Sequence, residues 1–307
     1  RRLPNAVIRY AKGCEIIDPH YPQSEILEFP LSADEQQMID EAVQIAEQSE
    51  VAILVLGGSE RTVRESRSRT DLRLPGHQER LLKAVVATGK PVVLVLVDGR
   101  AATINYAERE VPAILHAWFG GEKMGVAIAE TIFGDYNPGG RLAVTFPKTV
   151  GQLPYAFPFK PGTDVVSPSS ISGALYPFGY GLSYTTFSLD KAKILSKGKV
   201  KTLTADKPLK VAIELTNTGN AAGAEVVQLY IAEKNPTVLR PNKELKAIKK
   251  VAVEPGKKAV VTFDVDKKMC SFWCDKSHSW YANAGEYEIL IGNSSANISA
   301  TLPFVVE

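Results

Sequence analysis

The spacing of hydrophobic residues changes once along this chain, near Leu182, and that change limits the folds open to it. Before Leu182, apolar residues form short unbroken runs, such as residues 51–58 and 91–99, separated by amphipathic segments. Unbroken runs are typical of parallel strands covered on both faces, and their alternation with helices indicates βαβ units. After Leu182, apolar and polar residues alternate, as in strands with one buried face. The sequence therefore predicts an α/β part followed by an all-β part.

The first part is predicted to be a mainly parallel sheet sandwiched by helices. Ser32 and Glu35 form an S-x-x-E capping box, and apolar residues follow it at helical spacing. Strands are expected over residues 51–58, 91–99 and 111–119, and further helices around residues 82–89, 104–109 and 123–133. The alternation of strands and helices implies βαβ units, with helices on both faces of the sheet.

The second part predicts an antiparallel, immunoglobulin-like β-sandwich. Side chains alternate between apolar and polar over residues 211–215, 227–231, 261–265 and 287–291, with the turn signals TGN, EPGKK and NAGE nearby. This pattern indicates about seven strands. Among the basic residues, 12 of 18 are Arg before Leu182 and 17 of 18 are Lys after it, which supports domains at residues 1–182 and 183–307. For the second domain we expect a packing or spacing role.

Composition and motif content exclude several classes of function. The formal net charge is +2, too balanced for a nucleic-acid-binding surface, so no nucleic acid is expected as a partner. No apolar run approaches the ~20 residues of a membrane-spanning helix. Cys14, Cys270 and Cys274 cannot form a disulfide framework or a zinc site of recognisable spacing. No G-x-G-x-x-G or Walker motif follows a strand, so neither a cofactor nor a metal is expected.

The loop after residues 51–58 is the richest candidate for chemistry. It carries Glu60, Glu65 and Asp71 among five arginines, and it spans about 18 residues where an ordinary βα connection has about 2 to 6. Ligands of parallel α/β sheets bind beyond the carboxyl ends of the strands, where this loop begins. A functional loop and a solvated loop of salt bridges both fit these features. The histidines show no spacing that suggests a catalytic base, and His116 is expected to be a hydrogen-bonded core residue.

Several longer blocks of sequence follow one another along nearly the whole chain. The loop block, residues 65–76, is E-S-R-S-R-T-D-L-R-L-P-G. The others are AILHAWFGGEKMGVAIAETIFGDYNPGGRLAVTFPKTVGQLP, YPFGYGLSYTTF, NTGNAAGAEVVQLYI, RPNKELKAIKKV and PGKKAVVTF. Together these blocks resemble the C-terminal half of glycoside hydrolase family 3, in which the loop block has the form E-G-x-D-R-x-x-L-x-L-P-G. The resemblance implies an α/β sandwich domain and a fibronectin type III-like domain, which follow a (β/α)8-type barrel in the family.

The same resemblance implies an activity and a catalytic residue. It suggests the C-terminal part of a retaining, exo-acting β-glucosidase or β-xylosidase that hydrolyses O-glycosidic bonds in oligosaccharides or β-glycosides. Glu65 matches the family's general acid/base, which protonates the leaving oxygen and later deprotonates water. A retaining mechanism needs a second carboxylate about 5 to 5.5 Å away. The family places that Asp nucleophile in the N-terminal barrel domain, so the chain alone is expected to be inactive. A periplasmic or secreted location is expected by analogy.

Two departures from the family pattern bear on the site. The family's Gly and Asp after the glutamate are Ser66 and Ser68 here, so the turn geometry and the acidic partner of Arg69 are expected to differ. Glu60 is a competing acid, although its spacing to LRLPG does not match. The alternative interpretation is a non-catalytic carbohydrate-binding or structural two-domain protein, for which the missing barrel is the best argument.

Overall fold

The computed structural model describes residues 4–163, 169–196, 201–205 and 207–307. The chain divides into two compact units. One consists of Arg1–Ile128 and Pro147–Gly151, and the other of Ala129–Phe146 and Gln152–Glu307. The domain limits expected from the sequence, 1–182 and 183–307, stay a prediction.

A parallel sheet of three strands forms the centre of the first unit. The strands are β1 (Ala52–Gly57), β2 (Val92–Val97) and β3 (Ala113–His116), paired in the order β1-β2-β3. Gly57 lies opposite Val97, and Leu96 lies opposite His116, so the three strands end at the same edge. The predicted α/β class is confirmed, and each strand occupies the middle of the apolar run that predicted it.

Four α-helices accompany this sheet along the chain. They are α1 (Ala33–Glu47), α2 (Gln78–Val86), α3 (Asn105–Glu110) and α4 (Met124–Ile132). The capping box is present at α1, because the Glu35 N–H donates to Ser32 Oγ and the Ser32 N–H donates to Glu35 Oε2 at 2.8 Å. Within the described ranges, every helix falls short of the length and apolar character that crossing a bilayer requires.

Burial differs between the central strand and the edge strand of the sheet. Leu94, Val95 and Leu96 of β2 are at most 1% exposed, as expected of a strand covered on both faces. Ile53 and Val55 of β1 are 46% and 61% exposed in this chain. The unbroken apolar run predicted a strand buried on both faces, which is right for β2 and wrong for β1. The physical reason is that successive side chains of a strand point to opposite faces, and in this chain the face of Leu54 and Leu56 is covered while that of Ile53 and Val55 is open.

Two sheets form the β-sandwich of the second unit. The strands of this unit are β4 (Phe187–Ile194), β5 (Thr202–Leu203), β6 (Leu209–Asn217), β7 (Gly223–Glu233), β8 (Glu244–Val253), β9 (Lys258–Val265), β10 (Phe272–Cys274), β11 (Ser279–Tyr281), β12 (Gly285–Gly292) and β13 (Ile298–Val306). A five-stranded sheet has the order β5-β13-β12-β7-β8, and a three-stranded sheet has the order β4-β6-β9. All of the pairs in these sheets are antiparallel except that of β5 with β13. A separate hairpin consists of β10 and β11.

The apolar core of the sandwich comes from the residues that the alternation singled out. Val211, Ile213 and Leu215 of β6 are buried, and they belong to one hydrophobic cluster with Val227 and Ile289 of the other sheet. All four predicted alternating segments lie within strands, namely β6, β7, β9 and β12. The predicted sandwich is therefore confirmed.

Asn217 at the end of β6 is a fully buried polar side chain with a complete set of hydrogen bonds. Its Oδ1 accepts from Thr185 Oγ1 at 2.7 Å and from the Gly219 N–H at 3.1 Å. Its Nδ2 donates to the carbonyls of Ala221 at 2.9 Å and Val253 at 2.8 Å. A buried amide that satisfies four partners stabilises the fold chiefly because its loss would leave those partners without bonds in a low-dielectric interior.

We expect Asn217→Ala to lower the free energy of unfolding by about 2 to 4 kcal/mol, because it strands several buried polar groups. Urea unfolding of the 307-residue chain measures the change. Asn242→Ala is the matched control, since Asn242 is exposed and should alter stability by less than about 0.5 kcal/mol. Equal effects of the two substitutions would show that the Asn217 network contributes nothing of its own.

Candidate functional site

The site predicted from the sequence lies at the edge where β1, β2 and β3 end. Residues 58–77 connect β1 to α2, and residues 98–100 follow β2. His116 ends β3, and Trp118 follows two residues later. Ligands of open parallel sheets bind at this edge because neighbouring connections leave a crevice there.

Two glycines begin the loop because it passes very close to the end of β2. Gly57 has a φ of 141°, and a Cβ placed on it would lie 2.1 Å from the Val97 carbonyl oxygen. A Cβ on Gly58 would lie 2.8 Å from Asp98 Oδ1 and 2.9 Å from Thr62 Oγ1. Larger residues would therefore push the loop away from the strand that supports it.

Gln78 closes the base of the loop from the other end. This residue begins α2 and is 2% exposed. Its Oε1 accepts from the Gly57 N–H at 2.7 Å, and its Nε2 donates to the Gly57 carbonyl at 2.8 Å and to the Ile16 carbonyl at 3.0 Å. The amide thus bonds the free side of edge strand β1 in place of a neighbouring strand. Both ends of the loop are held together by these bonds.

Glu65 lies in a tight turn on this anchored loop. The Arg67 N–H donates to the Arg64 carbonyl at 3.1 Å, so Glu65 and Ser66 are the two central residues of the turn. Glu65 is exposed, and among the described residues no hydrogen bond or ion pair to its carboxylate is found. Glu60, the competing candidate, is also exposed. The carboxylate of Glu65 is therefore available to a ligand.

Asp71 is bound to a neighbour rather than available for proton transfer. Its Oδ1 accepts from the Arg73 N–H at 2.8 Å and its Oδ2 from Arg73 Nε at 2.6 Å. Partial burial acts to raise the pKa of Asp71, but the hydrogen bonds and charge of Arg73 outweigh it and hold that pKa below its ordinary value. A carboxyl held ionised in this way is a structural acceptor.

Arg69 has an acidic partner that the sequence did not suggest. Its side chain forms an ion pair with Glu25, and the two side chains are 6% and 7% exposed. Glu25 Oε2 also accepts from the Thr70 N–H at 3.0 Å. Arg69 Nη2 donates to the Arg73 carbonyl at 3.0 Å. The sequence predicts a partner other than the family's Asp, and the partner is Glu25, which lies far earlier in the chain.

Asp98 and Arg100, directly after β2, were missed by the sequence analysis. Asp98 is 3% exposed, and its Oδ1 accepts from the Arg100 N–H at 3.2 Å. Burial raises the pKa of Asp98, although the backbone N–H groups of Gly99 and Arg100 and the charges of Arg69 and Arg100 act against it. The signal was present in the sequence, because an Asp immediately after a buried strand lies at the carboxyl edge of a parallel sheet.

His116 and Trp118 occupy the end of β3. Their ring centroids are 4.2 Å apart, and Trp118 has a φ of 54°. Burial lowers the pKa of His116 to about 4, against a smaller opposing contribution from a hydrogen bond with the Arg100 backbone. The ring is therefore neutral near pH 7 and does not act as a general acid there. His116 is only partly buried, so the structure does not confirm the expectation of a core residue.

A cavity of about 230 Å³ in the first unit does not coincide with Glu65. It is lined at one side by Asp71 and Arg73 from the end of the loop and at another by Asn105 and Tyr106 of α3. Its volume is below the ~300 to 1,000 Å³ of typical small-molecule sites, and its lining does not include Glu65. Within the described ranges, no cluster of three His, Cys, Asp or Glu side chains could hold a metal ion.

Comparisons with family models and curated proteins agree with the motifs. The model described as the glycosyl hydrolase family 3 C-terminal domain matches residues 4–184, and the fibronectin type III-like domain matches residues 225–295. A periplasmic β-glucosidase of Salmonella typhimurium is 37% identical over 95% of this chain and 40% of its own length. A β-xylosidase of Formosa agariphila is 38% identical over 83% of this chain and 33% of its own length.

Solved structures have the same architecture. A β-glucosidase from Erythrobacter marinus superimposes with a TM-score of 0.87 and 34% identity, over 97% of this chain and 41% of its own. A β-glucosidase from Listeria innocua in complex with glucose gives a TM-score of 0.80 and 30% identity, over 90% of this chain and 39% of its own. The chain thus spans about two fifths of the length of these proteins.

Ser66 is a position where the turn favours glycine. Its φ is 59°, a left-handed conformation that costs an L-residue roughly 1 to 2 kcal/mol. We expect Ser66→Gly to raise the free energy of unfolding by up to about 1 kcal/mol, since relief of strain exceeds the added freedom of the unfolded chain. Urea unfolding measures the change.

Ser68→Gly is the matched control in the same loop. Ser68 is exposed and its φ is not positive, so glycine should only add freedom to the unfolded chain and lower stability by roughly 0.5 kcal/mol. The same loss in both variants would contradict the strain that we assign to Ser66.

Proposed function

The chain belongs to glycoside hydrolase family 3, and we propose on that basis that it is the C-terminal part of a retaining, exo-acting β-glycosidase. The enzyme would be of the β-glucosidase or β-xylosidase type and would hydrolyse O-glycosidic bonds of oligosaccharides or β-glycosides. Glu65 would be its general acid/base. The observation that carries this proposal is an exposed, unbonded carboxylate at the family's glutamate position, on a loop anchored at the carboxyl edge of the parallel sheet.

The surroundings of Glu65 favour it over the other acidic and basic groups nearby. A general acid/base must reach the glycosidic oxygen, so a carboxylate that is already tied to an arginine is poorly suited to the role. Asp71 is tied to Arg73. His116 is neutral near pH 7 because its pKa is low. Glu60 shares the exposure of Glu65 but lacks the family spacing to residues 72–76.

The arginines of the loop bear on whether Glu65 can hold the proton that it must donate. Close positive charge favours the ionised form of a carboxyl, whereas the first step of the reaction needs its proton. Arg69 is paired with Glu25, and Arg73 is paired with Asp71. Two of the five cations are thus directed to other carboxylates. The other three, Arg61, Arg64 and Arg67, are exposed, and Arg64 and Arg67 are within two residues of Glu65 in sequence.

Glu65 would act in both steps of a retaining mechanism. In the first step its protonated carboxyl gives a proton to the leaving oxygen while a nucleophilic carboxylate forms a glycosyl-enzyme. In the second step the Glu65 carboxylate takes a proton from water, which then releases the sugar. We propose that the nucleophile is an Asp of an N-terminal barrel domain. The two-fifths coverage of the relatives supports a catalytic pair shared with a domain outside these residues.

We also propose a periplasmic or secreted location, supported by the Salmonella typhimurium relative that is named as periplasmic.

The alternative function, a non-catalytic carbohydrate-binding or structural protein, requires no nucleophile and no proton donor. The two proposals differ in whether the complete protein hydrolyses a β-glycoside and, if it does, in whether substitution of Glu65 slows that hydrolysis.

We expect the isolated 307-residue chain to show no turnover of aryl β-glucosides or aryl β-xylosides. A proton donor without a nucleophile leaves most of the transition-state stabilisation unavailable. The release of the phenol is measured by its absorbance, and the complete enzyme is the positive control. Clear turnover by the pure chain would mean that it holds a second catalytic carboxylate, with Glu60 and Asp71 tested first.

In the complete enzyme, we expect Glu65→Gln to lower turnover of substrates with poor leaving groups by about 10² to 10⁴-fold, since the proton donor is lost. An aryl glycoside with an acidic phenol should still form the glycosyl-enzyme, because that leaving group needs little protonation. Hydrolysis should then stall, and added azide should release a glycosyl azide of retained configuration.

Glu60→Gln is the control for this experiment, since Glu60 is an exposed glutamate of the same loop. We expect its kinetics to stay close to those of the unsubstituted enzyme. Stalled hydrolysis and azide rescue in Glu60→Gln, with normal kinetics in Glu65→Gln, would transfer the role to Glu60. Normal kinetics in both variants would remove the acid/base role from Glu60 and Glu65, whereas no turnover by the complete, unsubstituted protein would favour the non-catalytic alternative.

A further inference from the structure

Arg100 holds the turn that carries Glu65 from both sides. A single nitrogen of its guanidinium group, Nη2, donates to the Thr62 carbonyl at 3.2 Å and to the Arg67 carbonyl at 2.8 Å. Thr62 precedes Glu65 by three residues, and Arg67 follows it by two. Backbone carbonyls on either side of Glu65 therefore accept hydrogen bonds from one nitrogen atom.

These bonds suit a guanidinium group better than any other side chain. Nη2 carries two protons in a fixed plane, so it can bond two acceptors at a defined angle. Hydrogen bonds from a charged donor are also stronger than those between neutral groups. The acceptors are backbone carbonyls, so these two hydrogen bonds fix the path of the loop backbone. They do not depend on the side chains at residues 62 and 67.

The end of β2 holds Arg100 itself in place. Asp98 follows the strand directly, is almost completely buried, and accepts from the Arg100 N–H at 3.2 Å. Leu94, Val95 and Leu96 are the most buried part of the sheet. A continuous series of packed and hydrogen-bonded groups thus leads from the centre of β2 through Asp98 and Arg100 to the turn.

Arg100 differs from the other paired arginines of the site in what it binds. Arg69 forms an ion pair with Glu25, and Arg73 forms one with Asp71. Among the described residues, Arg100 has hydrogen bonds to backbone carbonyls and no ion pair within 4.0 Å. Its guanidinium group therefore bonds the loop backbone beside Glu65.

We propose that Arg100 is a positioning residue for Glu65, which fixes the backbone of residues 62–67 against the end of β2. This proposal rests on the proposed acid/base role of Glu65. A general acid must lie within hydrogen-bond distance of the leaving oxygen, and misplacement by about 1 Å can cost ~10²-fold in rate. A loop of this length reaches such accuracy only when its tip is bound as well as its base.

The first test uses the 307-residue chain and does not involve catalysis. Trypsin cleaves after arginine, and the carbonyl of the Arg67–Ser68 bond is one of the two that Arg100 holds. We expect Arg100→Ala to raise the rate of cleavage after Arg67 by about tenfold or more, since the bond is freed from charge-assisted hydrogen bonds. Arg100→Lys keeps the charge without the planar fork and should give an intermediate rate.

Arg109→Ala is the matched control for the tryptic experiment. Arg109 is an exposed arginine of α3 that is paired with Glu110, so its removal should leave cleavage after Arg67 unchanged. Cleavage that is equally slow in Arg100→Ala and in the unsubstituted chain would overturn the proposal. So would equal acceleration by Arg109→Ala, because the effect would then be general loosening of the domain.

The second test measures catalysis in the complete enzyme. We expect Arg100→Ala to lower kcat for a poor leaving group by about 10 to 100-fold, with KM changed by less than about threefold, because the proton donor is misplaced while binding persists. With an acidic phenol as leaving group, formation of the glycosyl-enzyme should change much less. Arg100→Lys should recover part of kcat, and it serves as the variant to examine if Arg100→Ala does not fold.

A double substitution separates this proposal from the proposed function. In the Glu65→Gln background, Arg100→Ala should add less than about threefold, since there is no donor left to position. If Arg100→Ala lowers kcat by the same factor in the Glu65→Gln background as in the unsubstituted enzyme, the positioning role is overturned, while Glu65 remains the acid/base. Normal kinetics of Glu65→Gln itself would instead overturn the proposed function, whatever the tryptic experiment gives.

Discussion

The parallel pairing of β1, β2 and β3 is the constraint on which the rest of the site depends. Because Gly57, Val97 and His116 end their strands at one edge, three separate connections begin side by side. The loop from β1 can then be braced by the turn from β2. Arg100 of that turn bonds the loop backbone near its tip, and Gln78 at the start of α2 bonds Gly57 at the base of the loop.

The sequence predicts those features of the fold that local patterns specify. Unbroken apolar runs locate β1, β2 and β3, and alternation locates β6, β7, β9 and β12. Strand β8 was missed, because most of its residues are partly exposed and lysines interrupt the apolar pattern. Strand β5 has two residues, too few for any periodicity. Exposure of β1 was also missed, since periodicity says nothing about whether a neighbour covers an apolar face.

The candidate site was only partly accessible from the sequence for a related reason. The motif around Glu65 is continuous, so it can be recognised along the chain. The bonds of Arg69 to Glu25, Gln78 to Gly57 and Arg100 to Arg67 join residues 21 or more positions apart, and each depends on how strands and loops meet in space. No spacing rule connects such pairs. The acidic partner of Arg69 illustrates this, since Ser68 removes the local candidate and Glu25 takes its place.

Under the proposed function, the division of the catalytic carboxylates between two domains explains why the loop is bound so firmly. A retaining mechanism sets the two carboxyl groups about 5 to 5.5 Å apart, and neither domain can adjust that distance alone. Each domain must then present its own carboxylate in a fixed position. An exposed turn is mobile by default, because few contacts oppose its motion. Glycines at the base, the amide of Gln78 and the guanidinium of Arg100 restrict that motion without covering Glu65, so its carboxylate stays open to a sugar.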